Sequence, residues 1–110
     1  MASSENYLTF ILDQLSELDG IAHRKMMGEY LLYIGGRLFG GIYDDRLLVK
    51  PTPAALALLS DAPQEPPYPG AKPLLLVEQV DDRELLTGLV RAMEPELPVP
   101  KPKKPRKSRN

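Results

Sequence analysis

The chain holds a single histidine, His23, set between Ala22 and Arg24 with Lys25 following. Histidine is the side chain that titrates near neutral pH without help, so it is the first candidate for a general base. A working base needs a partner that orients it, and the flanking residues supply only cations and small apolar groups. His23 therefore reads as a surface or packing residue. Asp44-Asp45-Arg46 sets two carboxylates beside a cation. Such pairs do chemistry in glycosidases and cation sites when further polar groups converge on them. No such group can be assigned here, and Asp favours turns, so the triplet reads as a solvated turn. The chain has no cysteine, which removes thiol nucleophiles, disulfides and cysteine metal ligands and fits a reducing cytoplasm. The expectation is a protein that is not an enzyme and needs no cofactor and no metal.

Binding chemistry is better represented. Met26 and Met27 are adjacent, and methionine adapts its shape either to a partner or to gaps in a core. Core filling is the plainer reading of the two. Tyr68 sits in Pro67-Tyr68-Pro69-Gly70, a stiff segment with an aromatic at its tip, suited to meeting a partner or to capping the edge of a core. Gly40-Gly41 admits a ligand pressed on a strand. A bulge, or the close approach of another backbone, is the stronger reading, because no glycine-rich loop leading into a helix accompanies it. The cations are distributed unevenly. All fifteen acidic residues precede Leu97, whereas six of the fourteen basic residues (Lys101, Lys103, Lys104, Arg106, Lys107 and Arg109) lie in the last ten positions. The eight cations left in the body against fifteen acids give it a net charge of −7, and the tail carries +6. Only the tail would attract nucleic acid. It has no aromatic residue to stack on bases, so the binding expected of it is weak and indifferent to sequence.

These residues must be carried by elements. Met26 to Lys50 reads as an antiparallel meander. Strands are expected at Tyr30–Ile34, Arg37–Tyr43 and Arg46–Lys50, with two-residue turns at Gly35-Gly36 and Asp44-Asp45. Ile21–Met27 has room for a short strand before it. Alternation turns Tyr30, Leu32 and Ile34 to one face and Leu31 and Tyr33 to the other. Both faces are apolar, which points to a cover for the second face, with self-association as one way to supply it.

Before the meander, Leu8, Ile11, Leu12, Leu15 and Leu18 mark an amphipathic helix over Tyr7–Leu18, capped by Ser3 or Ser4 and stopped at Gly20. Of these, Leu12 and Leu15 are expected to cost most when lost. After the meander, Thr52 caps a short helix with Pro53 at its first position. Four prolines make 62–72 a loop without regular pairing. Leu74–Val80 reads as a further strand. A last helix opens at Asp81, with capping-box spacing to Glu84. It buries Leu85, Leu86, Leu89, Val90 and Met93, and Pro95 ends it.

The domain is thus expected over residues 1–97, with 98–110 a disordered Pro/Lys/Arg-rich tail. A chain of 110 residues suits one domain, and its 43% hydrophobic and 26% charged composition suits a soluble globular one. No apolar run approaches the roughly 20 residues that cross a bilayer, and no signal peptide is evident. The expected class is α+β in two layers, an antiparallel sheet packed by helices.

The helix–meander–helix–strand–helix order comes with three distinctive stretches: Arg24-Lys25-Met26-Met27-Gly28-Glu29-Tyr30, Tyr43-Asp44-Asp45-Arg46 and Pro67-Tyr68-Pro69-Gly70-Ala71-Lys72-Pro73. With them the chain resembles the N-terminal domain of the TfoX/Sxy family from Asn6 to Leu97. The resemblance implies a secretion-chaperone-like fold, often dimeric. It also implies kinship with regulators of natural transformation that act with a cyclic-AMP receptor-type activator, and it brings no catalytic residues. A single-domain short form is expected, without the C-terminal helical domain of the longer regulators. The functional expectation is a cytoplasmic regulatory or protein-interaction module with an unidentified protein partner. Its interaction surface would include Met26, Met27 and Tyr68. The alternative is a nucleic-acid-associated protein that binds through its tail.

Overall fold

Ser4 opens the first helix, α1 (Glu5–Gln14), and its hydroxyl accepts the Tyr7 N–H at 3.1 Å. The computed structural model describes residues 4–99. The apolar spacing continues past the end of α1 through a non-helical turn, which leaves Leu15 buried and Leu18 against the core. The buried stripe runs through Ile11 and Leu15 rather than through Leu12 and Leu15. Ile11 and Leu15 are its fully buried members, and Leu12 is only half-buried.

Four strands follow in order: β1 (Ile21–Met26), β2 (Glu29–Ile34), β3 (Arg37–Tyr43) and β4 (Arg46–Val49). Each hairpin turns on two residues of positive φ: Met27-Gly28, Gly35-Gly36 and Asp44-Asp45. Two left-handed residues give the type I′ geometry that matches strand twist. Pairing slips between Leu32 and Tyr33, so that Phe39 of β3 has no partner in the register. This bulge lies next to the glycine pair. A Cβ on Gly40 would collide with the Leu48 carbonyl and with Val49 Cα at 2.9 Å, and one on Gly41 would meet the Tyr30 carbonyl at 2.6 Å. Close backbone approach, not a ligand, explains both glycines.

The chain then forms α2 (Pro53–Leu58), β5 (Gln64–Glu65), β6 (Leu74–Val77) and α3 (Arg83–Met93), followed by a 3-10 turn over Glu94–Glu96. Thr52 caps α2 as expected, accepting the Ala55 N–H at 3.1 Å. Asp82, not Asp81, caps α3, through the Leu85 N–H at 3.0 Å. The proline-rich loop is not free of pairing, since Gln64 and Glu65 pair with Leu75 and Leu74. Its prolines begin beyond Glu65, apart from Pro63, whose carbonyl accepts the Leu76 N–H at 2.9 Å. Proline removes a donor but keeps an acceptor.

The sheet is antiparallel throughout, in the order β1-β2-β3-β4-β6-β5. The fold is the expected α+β arrangement. One sheet face carries Tyr30, Leu32, Ile42, Leu47, Val49, Leu75 and Val77, and these join Ile11 and Leu15 with the buried stripe of α3 in one core. Burying each such side chain contributes roughly 1.5–3 kcal/mol. Leu97 is the last member of this core. Among the described residues no helix is long and apolar enough to cross a membrane.

Candidate functional site

The opposite sheet face is set by the same register. Leu31 pairs with Gly41, Tyr33 with Leu38, Tyr43 with Arg46, and Leu48 with Leu76. The proline-rich loop reaches this face at the end of the sheet that carries the Met27-Gly28 and Asp44-Asp45 turns. Arg46 ties it there through one contact and is itself oriented by a second within its own hairpin. Arg46 Nη1 donates to Glu65 Oε1 at 2.6 Å, and Arg46 Nε donates to the Tyr43 carbonyl at 3.1 Å. Beyond Glu65 the chain closes a turn in which the Ala71 N–H donates to the Tyr68 carbonyl at 3.1 Å, with Gly70 at φ 89°. Proline followed by a left-handed glycine at the centre is type II turn chemistry. The turn holds Tyr68 at its start, 62% exposed.

Under Tyr68 lies an apolar pocket of about 260 Å³, lined by Met26, Met27, Leu31, Tyr43 and Pro67 with Glu29 at its rim. A shallower concavity of about 480 Å³ adjoins it across Tyr68 and Pro67. That second hollow is bordered by Asp44, Glu65 and the paired Arg46. The Asp44 N–H donates to Glu29 Oε1 at 3.1 Å, which joins the rims of the two hollows. Burial raises the Tyr43 phenol above its usual range, and Tyr68, Glu29 and Tyr33 nearby raise it further, so Tyr43 faces the pocket as a neutral hydrogen-bonding group.

The three residues read from sequence as an interaction surface are thus brought together by two separate chain segments. Core filling by the methionines does not occur. Met27 is 96% exposed and Met26 is 48% exposed. The turn chemistry accounts for this, because residue 27 occupies the tip of a two-residue hairpin and the side chain of residue 26 falls on the face without helices. Tyr68 likewise caps no core edge. Met27 also sits at φ 53°, a left-handed conformation that Asn, Asp or Gly adopts with less strain and that costs most other residues about 1–2 kcal/mol. Glu29, Leu31, Tyr43 and Pro67 were not assigned to this surface from sequence. Strand alternation places Leu31 on the second face, but the crossing of the loop over Tyr43 is a tertiary event with no local signal.

The other candidates fall elsewhere. His23 lies on β1, opposite Leu32 in the register, and its ring meets Tyr30 edge-on at 6.2 Å. Asp45 accepts the Ser4 N–H at 2.8 Å and anchors the start of α1. Asp44 and Asp45 are exposed turn residues. No cluster of three or more His, Cys, Asp or Glu side chains suited to a metal occurs among the described residues. Lys101, Lys103, Lys104, Arg106, Lys107 and Arg109 lie outside the described residues.

Comparison with known proteins identifies the family. The family model of the TfoX N-terminal domain matches residues 13–92. An uncharacterized 12.7 kDa protein in the trpE 5′ region of Spirochaeta aurantia is 33% identical over 105 residues, covering 94% of this chain and 91% of its own length. No solved structure is matched. The match over most of the chain, carrying the meander, the proline loop's flanks and α3, establishes that the protein belongs to the TfoX N-terminal domain family.

Proposed function

We propose that the protein is a non-catalytic regulatory module of the cytoplasm, related in role to competence regulators, that docks a protein partner on the surface formed by Met26, Met27 and Tyr68. The observation that carries this reading is the exposure of Met27 in a left-handed turn beside an open apolar pocket. Backbone strain of this kind concentrates at functional sites, and exposed methionine and tyrosine make adaptable contact surfaces. The rim charges supply orientation, and the apolar floor supplies area.

A photo-crosslinking amino acid at position 68, with a control at exposed Leu56 on α2, tests the reading in cells. A discrete adduct specific to position 68, identified and then reconstituted from purified components, is the expected result. Equal labelling from both positions would refute it.

A second reading, self-association, draws on the same surface. The second sheet face keeps Leu31, Leu38 and Leu76 only half-buried, and an isologous contact between two such faces would cover them. Sedimentation at micromolar concentration that detects only monomer would exclude it.

A further inference from the structure

The two hollows beside Tyr68 have a defined chemistry. Their walls are aromatic and proline surfaces, from Tyr43, Tyr68, Pro67 and Pro69. Their charged lining is Glu29, Asp44 and Glu65 against one cation, Arg46, which is already paired with Glu65. Flat aromatic grooves accept proline-spaced peptides in the polyproline II conformation, whose order is largely prepaid. Carboxylates at the rim of such a groove select peptides that also carry cations.

A segment with both properties belongs to this chain. Residues 98–110 read Pro-Val-Pro-Lys-Pro-Lys-Lys-Pro-Arg-Lys-Ser-Arg-Asn, with prolines at 98, 100, 102 and 105 and six cations. The body they follow has a net charge of −7.

Length permits the contact. Arg37 Nη1 donates to the Glu94 carbonyl at 2.7 Å, which fixes the 3-10 turn at the Arg37 end of β3, opposite the groove. The six residues of β2 separate the two ends of the sheet by roughly 20 Å. Thirteen residues in polyproline II geometry span about 40 Å. A tethered segment of that length meets its own groove at an effective concentration in the millimolar range.

We infer that residues 98–110 seat in the Tyr43–Tyr68 groove of their own molecule, with prolines against the aromatic rings and cations at Glu29 and Asp44. This rests on the reading of that surface as a docking site and adds its ligand chemistry, a cationic proline-spaced peptide.

The test uses the full chain. Because the protein has no cysteine, Lys104→Cys carries a single nitroxide label. Amide relaxation should then broaden at Leu31, Tyr43 and Tyr68 far more than at Leu56 and Leu58 on α2. The broadening should survive dilution with excess unlabelled protein and disappear in Tyr68→Ala and in Asp44→Asn, whose spectra elsewhere stay folded. Broadening that is uniform, centred elsewhere, unchanged by both substitutions or dependent on a second copy would overturn the inference. Failure here with a specific adduct retained at position 68 removes only the tail as occupant. Loss of that adduct as well removes the docking site itself.

Discussion

Arg46 and Glu65 meet at 2.6 Å across β4 and β5, and this contact sets the proline loop over the second sheet face. Both side chains are about one-third exposed, so solvent screening limits the pair to less than about 1 kcal/mol of global stability. Its consequence is local. Glu65→Gln should leave the melting temperature within a few degrees of the parent while raising amide exchange at Tyr68 and Ala71. A large fall in melting temperature with no change in exchange would mean that the loop is held by other contacts.

The alkaline limit of stability should depend on Tyr43. Burial, with Tyr68, Glu29 and Tyr33 nearby, raises its phenol above the ordinary value of 10.0. On going alkaline, the unfolded chain therefore loses this proton before the folded one does. The contribution is intact below pH about 10 and disappears as pH rises through the folded-state value. Urea midpoints between pH 9 and 11.5 should fall less steeply for Tyr43→Phe than for the parent. Parallel curves would show that the phenol is not perturbed.

Two substitutions probe the packing in opposite directions. Gly40→Ala places a methyl group against the Leu48 carbonyl and Val49. It should cost several kcal/mol or abolish folding, since the neighbouring atoms are backbone and cannot yield cheaply. Thr87 is buried on α3 and its hydroxyl has no hydrogen-bond partner among the described residues. Thr87→Val should be neutral or stabilising by about 1 kcal/mol. Denaturant titration reads both, and a destabilised Thr87→Val would reveal a partner for the hydroxyl.

The tail alternative has its own signature. Six cations can release at most six counterions, so full-chain binding to duplex DNA should be weak, with a log–log salt slope no steeper than about −5. A steeper slope, or binding that survives removal of residues 98–110, would place a nucleic-acid site on the folded body.

The strands were legible because their signals are local. Gly35-Gly36 and Asp44-Asp45 dictate turns, and alternation through Tyr30–Ile34 assigns the faces. Thr52 and Pro53 announce α2 for the same reason. Sequence overextended α1 because Leu15 and Leu18 keep helical spacing while packing from a turn. It also carried β6 past Val77, although its three-residue pairing with β4 ends there. The methionines were harder, since a Met-Met pair looks alike in a core and at a hairpin tip. Only the left-handed φ of Met27 and the pairing of Met26 with Glu29 separate these cases. Tyr43 and Glu29 entered the site through a loop that joins them from about twenty residues or more away, and no window of the chain contains that information.

The central claim is that the Met26–Met27–Tyr68 surface captures a protein. Its most direct test is a titration of the partner identified from position 68 against the full chain, Met27→Asp and Tyr68→Ala. The account predicts at least about a tenfold loss of affinity for each variant, equivalent to 1.4 kcal/mol or more, with melting temperatures near the parent's, because both side chains are exposed. Unchanged affinity in both variants would contradict it.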